Sequence, residues 1–138
     1  MTLQVNGVTA LLEVFDMPTS IAFYRDALGF DVLQTSGPGD DFTWALLALD
    51  GTHLMLNTAY DEGERPPERE GGRVAAHADT ALFFHSPDLD AAYDHLCAKG
   101  VDVEEPLLRD YGMRQMWLTD PDGFRLCFQW PGDATHEN

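Results

Sequence analysis

The chain has 138 residues, 44% hydrophobic and 11% aromatic, enough to bury one sizeable core in a single domain or in two small halves sharing a sheet. Its 24 acidic against 8 basic side chains give a formal charge of −16, which repels phosphate backbones and anionic lipid and argues against nucleic-acid and membrane-surface roles. No apolar run approaches a membrane span, the first residues lack the marks of a signal peptide, and Cys97 and Cys127 form neither a disulfide framework nor a zinc motif, so a cytoplasmic globular protein is expected.

In chain order, residues 8–15 are apolar and β-compatible and run into Asp16-Met17-Pro18-Thr19. That tetrapeptide predicts a helix start, because Asp16 can accept from free N–H groups and Pro18 suits the first turn. Ile21, Tyr24 and Leu28 recur at helical spacing until Gly29. Strands are expected at 30–36, 42–49 and 52–58, with Asp50-Gly51 turning the last pair as a two-residue hairpin. The polar, Gly- and Pro-rich stretch 59–79 reads as a linker, a lid or a dimer-contact arm.

The second half repeats the plan. A strand at 80–85 leads to Ser86-Pro87-Asp88, read as a cap with proline at the first helical position. Leu89, Ala92, Tyr93, Leu96 and Cys97 make one apolar stripe that places Cys97 in the core, and Gly100 ends the helix. Strands are expected at 101–105, 114–119 and 124–130, with Asp120-Pro121-Asp122-Gly123 turning the last pair. Residues 131–138 read as a flexible tail.

Gly29 and Gly100 lie 71 residues apart, so the halves repeat as strand, helix and three strands. One helix covers only one face of a four-stranded sheet; the other face needs a second unit or a ligand. The expected fold is therefore α+β. Two βαβββ modules, about 8–58 and 80–130, would form a curved mixed eight-stranded sheet with a concave groove.

The motifs that carry this repeat are Val14-Phe15-Asp16, Phe23-Tyr24-Arg25-Asp26, Leu28-Gly29-Phe30, the run Asp88–Tyr93 with Gly100, and Asp120-Pro121-Asp122-Gly123. The chain resembles the vicinal oxygen chelate superfamily, which includes glyoxalase I, extradiol dioxygenases, and bleomycin and fosfomycin resistance proteins. The resemblance implies, in the metal enzymes, two His and two Glu ligands on the concave face. Carried over position by position, those ligands fall on Thr9, Met55, Ala81 and Cys127, none of which is His or Glu. Glu13, His53, His85 and Gln129 share strand faces with the vacated positions. Glu13 and His53 are expected about 20 Å apart along parallel strands, far beyond the ~2 Å reach of a metal bond.

What remains on the face is a mixed surface: Glu13, His53, Met55, Asn57, Phe83, His85, Arg125, Cys127 and Gln129. Trp44 and Trp117 can stack on a planar guest, although strand parity leaves the side of Trp117 open, and Tyr111 sits on a rim that can close. The opposite parity, Leu12, Val14, Leu54, Leu56, Leu82, Phe84, Leu126 and Phe128, should pack under the helices. Each polar residue also has a plainer reading. The face can be a filled groove whose groups bond one another, His85 a structural hydrogen-bond partner, and Cys127 a small buried hydrophobe. His77-Ala78-Asp79 reads as a backbone-bonding loop rather than a metal pair.

The resemblance to the bleomycin-resistance branch implies a small-molecule binding protein that needs no metal or cofactor, sequesters a cationic or aromatic compound and pairs as a homodimer. The alternative is a divergent glyoxalase- or dioxygenase-like enzyme using Glu13 or His85 as base.

Overall fold

Burial alternates with period two along residues 10–14, 44–49, 52–58 and 81–85, whereas in 113–119 and 125–131 consecutive residues are buried, Gln115 with Met116 and Leu126 through Phe128. The structure is a computed structural model that describes residues 2–61 and 63–132. The chain divides into two compact units, Met1–Pro67 and Glu68–Asn138. The first carries β1 (Ala10–Val14), α1 (Met17–Ile21), β2 (Asp31–Thr35), β3 (Trp44–Leu49) and β4 (Thr52–Thr58). The second carries α2 (Gly71–Ala76), β5 (Ala81–His85), α3 (Leu89–Ala98), β6 (Leu107–Leu108), β7 (Met113–Thr119) and β8 (Arg125–Pro131). The eight strands form two four-stranded mixed sheets, ordered β1-β4-β3-β2 and β5-β8-β7-β6. In each, the first strand lies parallel to the last and the remaining pairs are antiparallel. The α+β repeat of two βαβββ units is present as expected.

Local chemistry explains most boundaries. The Asp16 side chain accepts from Thr19 N at 3.1 Å and from the Thr19 hydroxyl, capping α1 as anticipated. Beyond Ile21 the helix widens into a π-helix over Ala22–Ala27, with Leu28 N donating to Phe23 O, which the 3.6-residue pattern did not announce. Asp50 and Gly51 both take positive φ, 48° and 81°, as a two-residue hairpin turn requires. At the end of α3, Gly100 N donates to Cys97 O and Val101 N to Leu96 O, the paired bonds of a Schellman stop.

Five expectations change. The cap of α3 is Asp88, which accepts from Ala91 N at 3.1 Å, so Pro87 stands outside the helix rather than at its first position. Residues 101–105 do not form a strand. Pro106 has no N–H to give the ladder, and pairing splits into a lone Val103–Leu118 bridge and the short β6. Cys97 is exposed, because it lies about 100° round the helix from the buried Leu96. Within 59–79, residues 71–79 are helical: α2 is followed by a 3-10 turn at His77–Asp79. The tail begins later than expected, since Pro131 still pairs with Met113 in β8; residues 133–138 lie outside the described residues.

The packed faces follow the parity reading. Leu12, Val14, Leu54 and Leu56 are buried in the first unit with Met17, Ile21 and Tyr24 of the helical segment. In the second unit Leu126 and Phe128 are buried with Leu89 and Leu96 of α3, while Leu82 and Phe84 are half-buried and Phe84 stacks on Phe128. Each large apolar side chain so buried contributes roughly 1.5–3 kcal/mol.

The Asp120–Gly123 turn is held from both sides. Asp120 Oδ1 accepts from the Asp122 and Phe124 amides at 2.9 Å. His77 stacks on Phe124 at 3.9 Å, and its Nδ1 donates to the Asp122 carbonyl at 2.6 Å, so the loop histidine bonds backbone as read from sequence. Gly123 has φ +92° and faces the Val74 carbonyl, where a Cβ would overlap the oxygen. Gly123→Ala should cost about 2 kcal/mol or more and lower Tm measurably in a thermal melt.

Arg65 closes the other end of the first unit. Its guanidinium lies 2.5 Å from Asp16 and 5.3 Å over the Phe15 ring, tying the start of the 59–79 stretch to the helix cap. Burial alone would raise the Asp16 pKa; the Thr19 bonds and Arg65 outweigh it and hold the carboxyl below its ordinary 3.8. Its stabilising share is therefore fully present above about pH 4 and disappears as pH falls below that value. Asp16→Ala should cost about 1 kcal/mol at pH 7. The gap from the parent should close in urea melts run at progressively lower pH.

Candidate functional site

The open face of the first sheet carries Glu13, Trp44, His53, Met55 and Asn57, and the ladder fixes their spacing. Glu13 stands opposite Asn57, whose Nδ2 lies 3.5 Å from Glu13 Oε2 and donates to the Thr58 carbonyl at 3.2 Å. Trp44 faces Asn57 from the other side, and Met55 lies between Leu11 and Leu46. His53 is exposed and opposite Ala48, four residues along β4 from Asn57. That offset is about 13 Å at roughly 3.3 Å per residue. It is shorter than the ~20 Å expected from sequence, and still far too long for Glu13 and His53 to share an ion.

The second sheet brings its candidates closer together. Phe83, Cys127 and Trp117 stand abreast on β5, β8 and β7, which decides the side of Trp117 that sequence left open. The Phe83 and Trp117 rings meet edge to face at 5.3 Å on either side of Cys127, whose side chain is fully buried. Burial pushes the Cys127 thiol up to about 11, against smaller opposing pulls from a Met116 backbone bond and the Arg109 and Arg125 charges. Arg125 lays its guanidinium 4.1 Å over the Trp117 ring. With Asp102, Glu104 and Thr119, these two residues line a cavity of about 250 Å³.

A hydrogen-bonded chain borders the aromatic pair. Trp117 Nε1 donates to Gln115 Oε1 at 3.3 Å, and the Tyr111 hydroxyl donates to the same oxygen at 2.9 Å. Gln115 Nε2 donates to Gln129 Oε1 at 2.9 Å. His85 stands opposite Gln129 on the parallel ladder and is exposed. Gln115 is the residue sequence reasoning missed. It is buried and central to this chain, but only the β7 register reveals that it shares a face with Gln129. A second cavity of about 370 Å³, lined by Phe15, Phe42, Tyr60 and Arg65 among others, also lay outside the expected site.

The four positions that the resemblance assigns to a metal do not suit one. Thr9 precedes β1, Met55 offers only a thioether, Ala81 has no donor and Cys127 is a buried neutral thiol. Among the described residues, no three His, Cys, Asp or Glu side chains gather as a metal site would require.

Several solved structures share this fold. TnmS3, an antibiotic binding protein from Streptomyces sp. CB03234, is 26% identical, superposes with a TM-score of 0.69, and matches over 95% of this chain and 100% of its own. A glyoxalase/bleomycin resistance protein from the same source is 28% identical, with a TM-score of 0.60 over 88% of this chain and 98% of its own. Bleomycin-binding protein complexed with bleomycin, 19% identical, shares the fold with a TM-score of 0.70 over 93% of this chain and 100% of its own. No curated sequence matches the chain. The family model for the Glyoxalase/Bleomycin resistance protein/Dioxygenase superfamily matches residues 7–128, and with the two βαβββ units it shows that the chain belongs to that superfamily.

Proposed function

We propose that this protein binds a small organic molecule on the open face of its second sheet, holds it without chemistry, and uses no metal or cofactor. The observation that carries the reading is the Phe83–Trp117 pair, an aromatic platform with Arg125 over it and the buried Gln115 holding the indole N–H. Apolar walls with a few directed polar groups are the usual composition of a ligand pocket. His85, Tyr111, Cys127 and Gln129 complete this face, while Glu13, Trp44, His53, Met55 and Asn57 stand on the open face of the first sheet as a separate candidate surface. The antibiotic-binding relative at 26% identity supports a sequestering role. The −16 charge favours cationic guests in general by raising their local concentration. A homodimer and a cytoplasmic setting extend the reading, the first from the family resemblance and the second from composition.

The enzyme alternative gains nothing from the site's thiol. At pH 8 a cysteine titrating near 11 is only about one part in a thousand thiolate, too little for a resting nucleophile. Iodoacetamide at pH 8 should therefore label the exposed Cys97 and reach Cys127 only after unfolding, as read by mass spectrometry. Rapid Cys127 labelling in the folded protein would reopen covalent chemistry.

The binding reading is tested by thermal shift against planar aromatic and basic glycopeptide antibiotics. A guest at 100 times its Kd should stabilise the protein by about 2.7 kcal/mol, and Trp117→Ala should remove most of that gain. If no compound in either class raises Tm, the reading falls. Metal content after incubation with Ni, Zn, Mn or Fe(II) and desalting should stay below about a tenth of an equivalent. Near one equivalent would move the enzyme reading to first place.

A further inference from the structure

The polar groups beside the aromatic platform all point their hydrogen bonds one way, and Trp117 sets the direction. An indole N–H can only donate. Gln115 Oε1 must therefore be the atom that faces Trp117 Nε1, and it accepts from Tyr111 as well. Gln115 is 3% exposed, so its amide cannot turn out to water. Its Nε2 is left to meet Gln129, where it donates to Oε1. The second amide is fixed in turn: Gln129 accepts through Oε1, and its NH₂ has no hydrogen-bond partner among the described residues.

Arg125 adds donors of the same kind. Arg25, Arg65, Arg109 and Arg114 each meet a carboxylate, and Arg69 and Arg73 have partners of their own. Arg125 has the Trp117 ring but no carboxylate within 4.0 Å among the described residues. Arg125 and Gln129 stand four residues apart on β8, about 13 Å, with the Phe83–Trp117 platform abreast of the midpoint. The surface is thus an edge-to-face aromatic pair whose Trp117 ring is overlaid by the donor fork of Arg125, with the Gln129 amide toward the far end of β8.

We propose that this face selects flat aromatic guests that carry acceptor oxygens, with a carboxylate at the Arg125 end, and discriminates against the same ring carrying an ammonium group. The inference rests on the small-molecule-binding reading and narrows it, because the cationic guests favoured by net charge are not those this face recognises. A carboxylate suits the planar guanidinium fork, which can give it two parallel N–H bonds. The opposing field is real: Asp102 and Glu104 line the same cavity. Glu104, however, lies 3.7 Å from Arg109, and at physiological salt charges beyond about 8 Å are largely screened. Asp102 is then the carboxylate on the cavity wall that direct contact with Arg125 must outweigh, while more distant acidic groups are screened.

Calorimetric titration of 2-naphthoate and 2-naphthylmethylammonium at 0.15 M salt separates ring from charge. The parent should bind the carboxylate at least about tenfold tighter, the scale of one charged hydrogen bond. Arg125→Gln should erase that preference, weakening naphthoate and leaving the ammonium compound no weaker. Trp117→Phe keeps a ring but removes the N–H that orients both glutamines, so it should narrow the preference; a merely structural role would weaken both compounds equally. Equal or tighter binding of the ammonium compound, or no binding of either, overturns the inference. The binding reading itself falls only if the wider antibiotic panel also leaves Tm unchanged.

Discussion

In each unit the first strand lies parallel against the last, β1 on β4 and β5 on β8, and the placement of the other elements follows from that contact. Two parallel neighbours cannot be joined by a hairpin, so the chain must cross over between them. The helical segment of that crossover brings apolar side chains to one face, where Leu12, Leu56, Leu126 and Phe128 are buried. The opposite face is left with the alternate residues. Because strand parity is strict, the same pairing that buries Leu126 and Phe128 presents Arg125 and Gln129.

The two open faces carry different chemistry from this common plan. The first joins a carboxylate to an amide, Glu13 to Asn57, and leaves His53 about 13 Å away along β4. The second is aromatic and donor-rich, with a neutral buried thiol beneath two rings. A buried thiol between Phe83 and Trp117 is a packing element, and burial is what keeps it protonated. The superfamily's fold thus stands here with two open faces of different chemistry. Fold and chemistry are separable in this way because the scaffold is specified by core residues and the site by their neighbours of opposite parity.

Elements with a local cause were legible in the sequence. Asp16 caps its helix, Asp50-Gly51 turns its hairpin and Gly100 stops α3, because each depends on atoms within a few residues. Where two local signals competed, reading was less secure. Ser86 and Asp88 can both cap, and the structure uses Asp88. Residues 101–105 have strand character, yet Pro106 withholds a donor and the ladder forms one step later. The helix in 71–79 carries little apolar periodicity of its own. It is held by tertiary contacts, with Gly123 against Val74 and His77 on Phe124.

The sequence by itself determined the repeat, the fold class and the packed parity of most strands, since these depend on residue identity and short-range spacing. Only the tertiary structure decided the face of Trp117, the central place of Gln115, the exposure of Cys97 and the contact of Arg65 with Asp16. Each of those depends on which residues of distant segments stand opposite one another. A one-residue change of register would turn Trp117 and Gln115 to the other side of the sheet, and composition cannot tell the two registers apart.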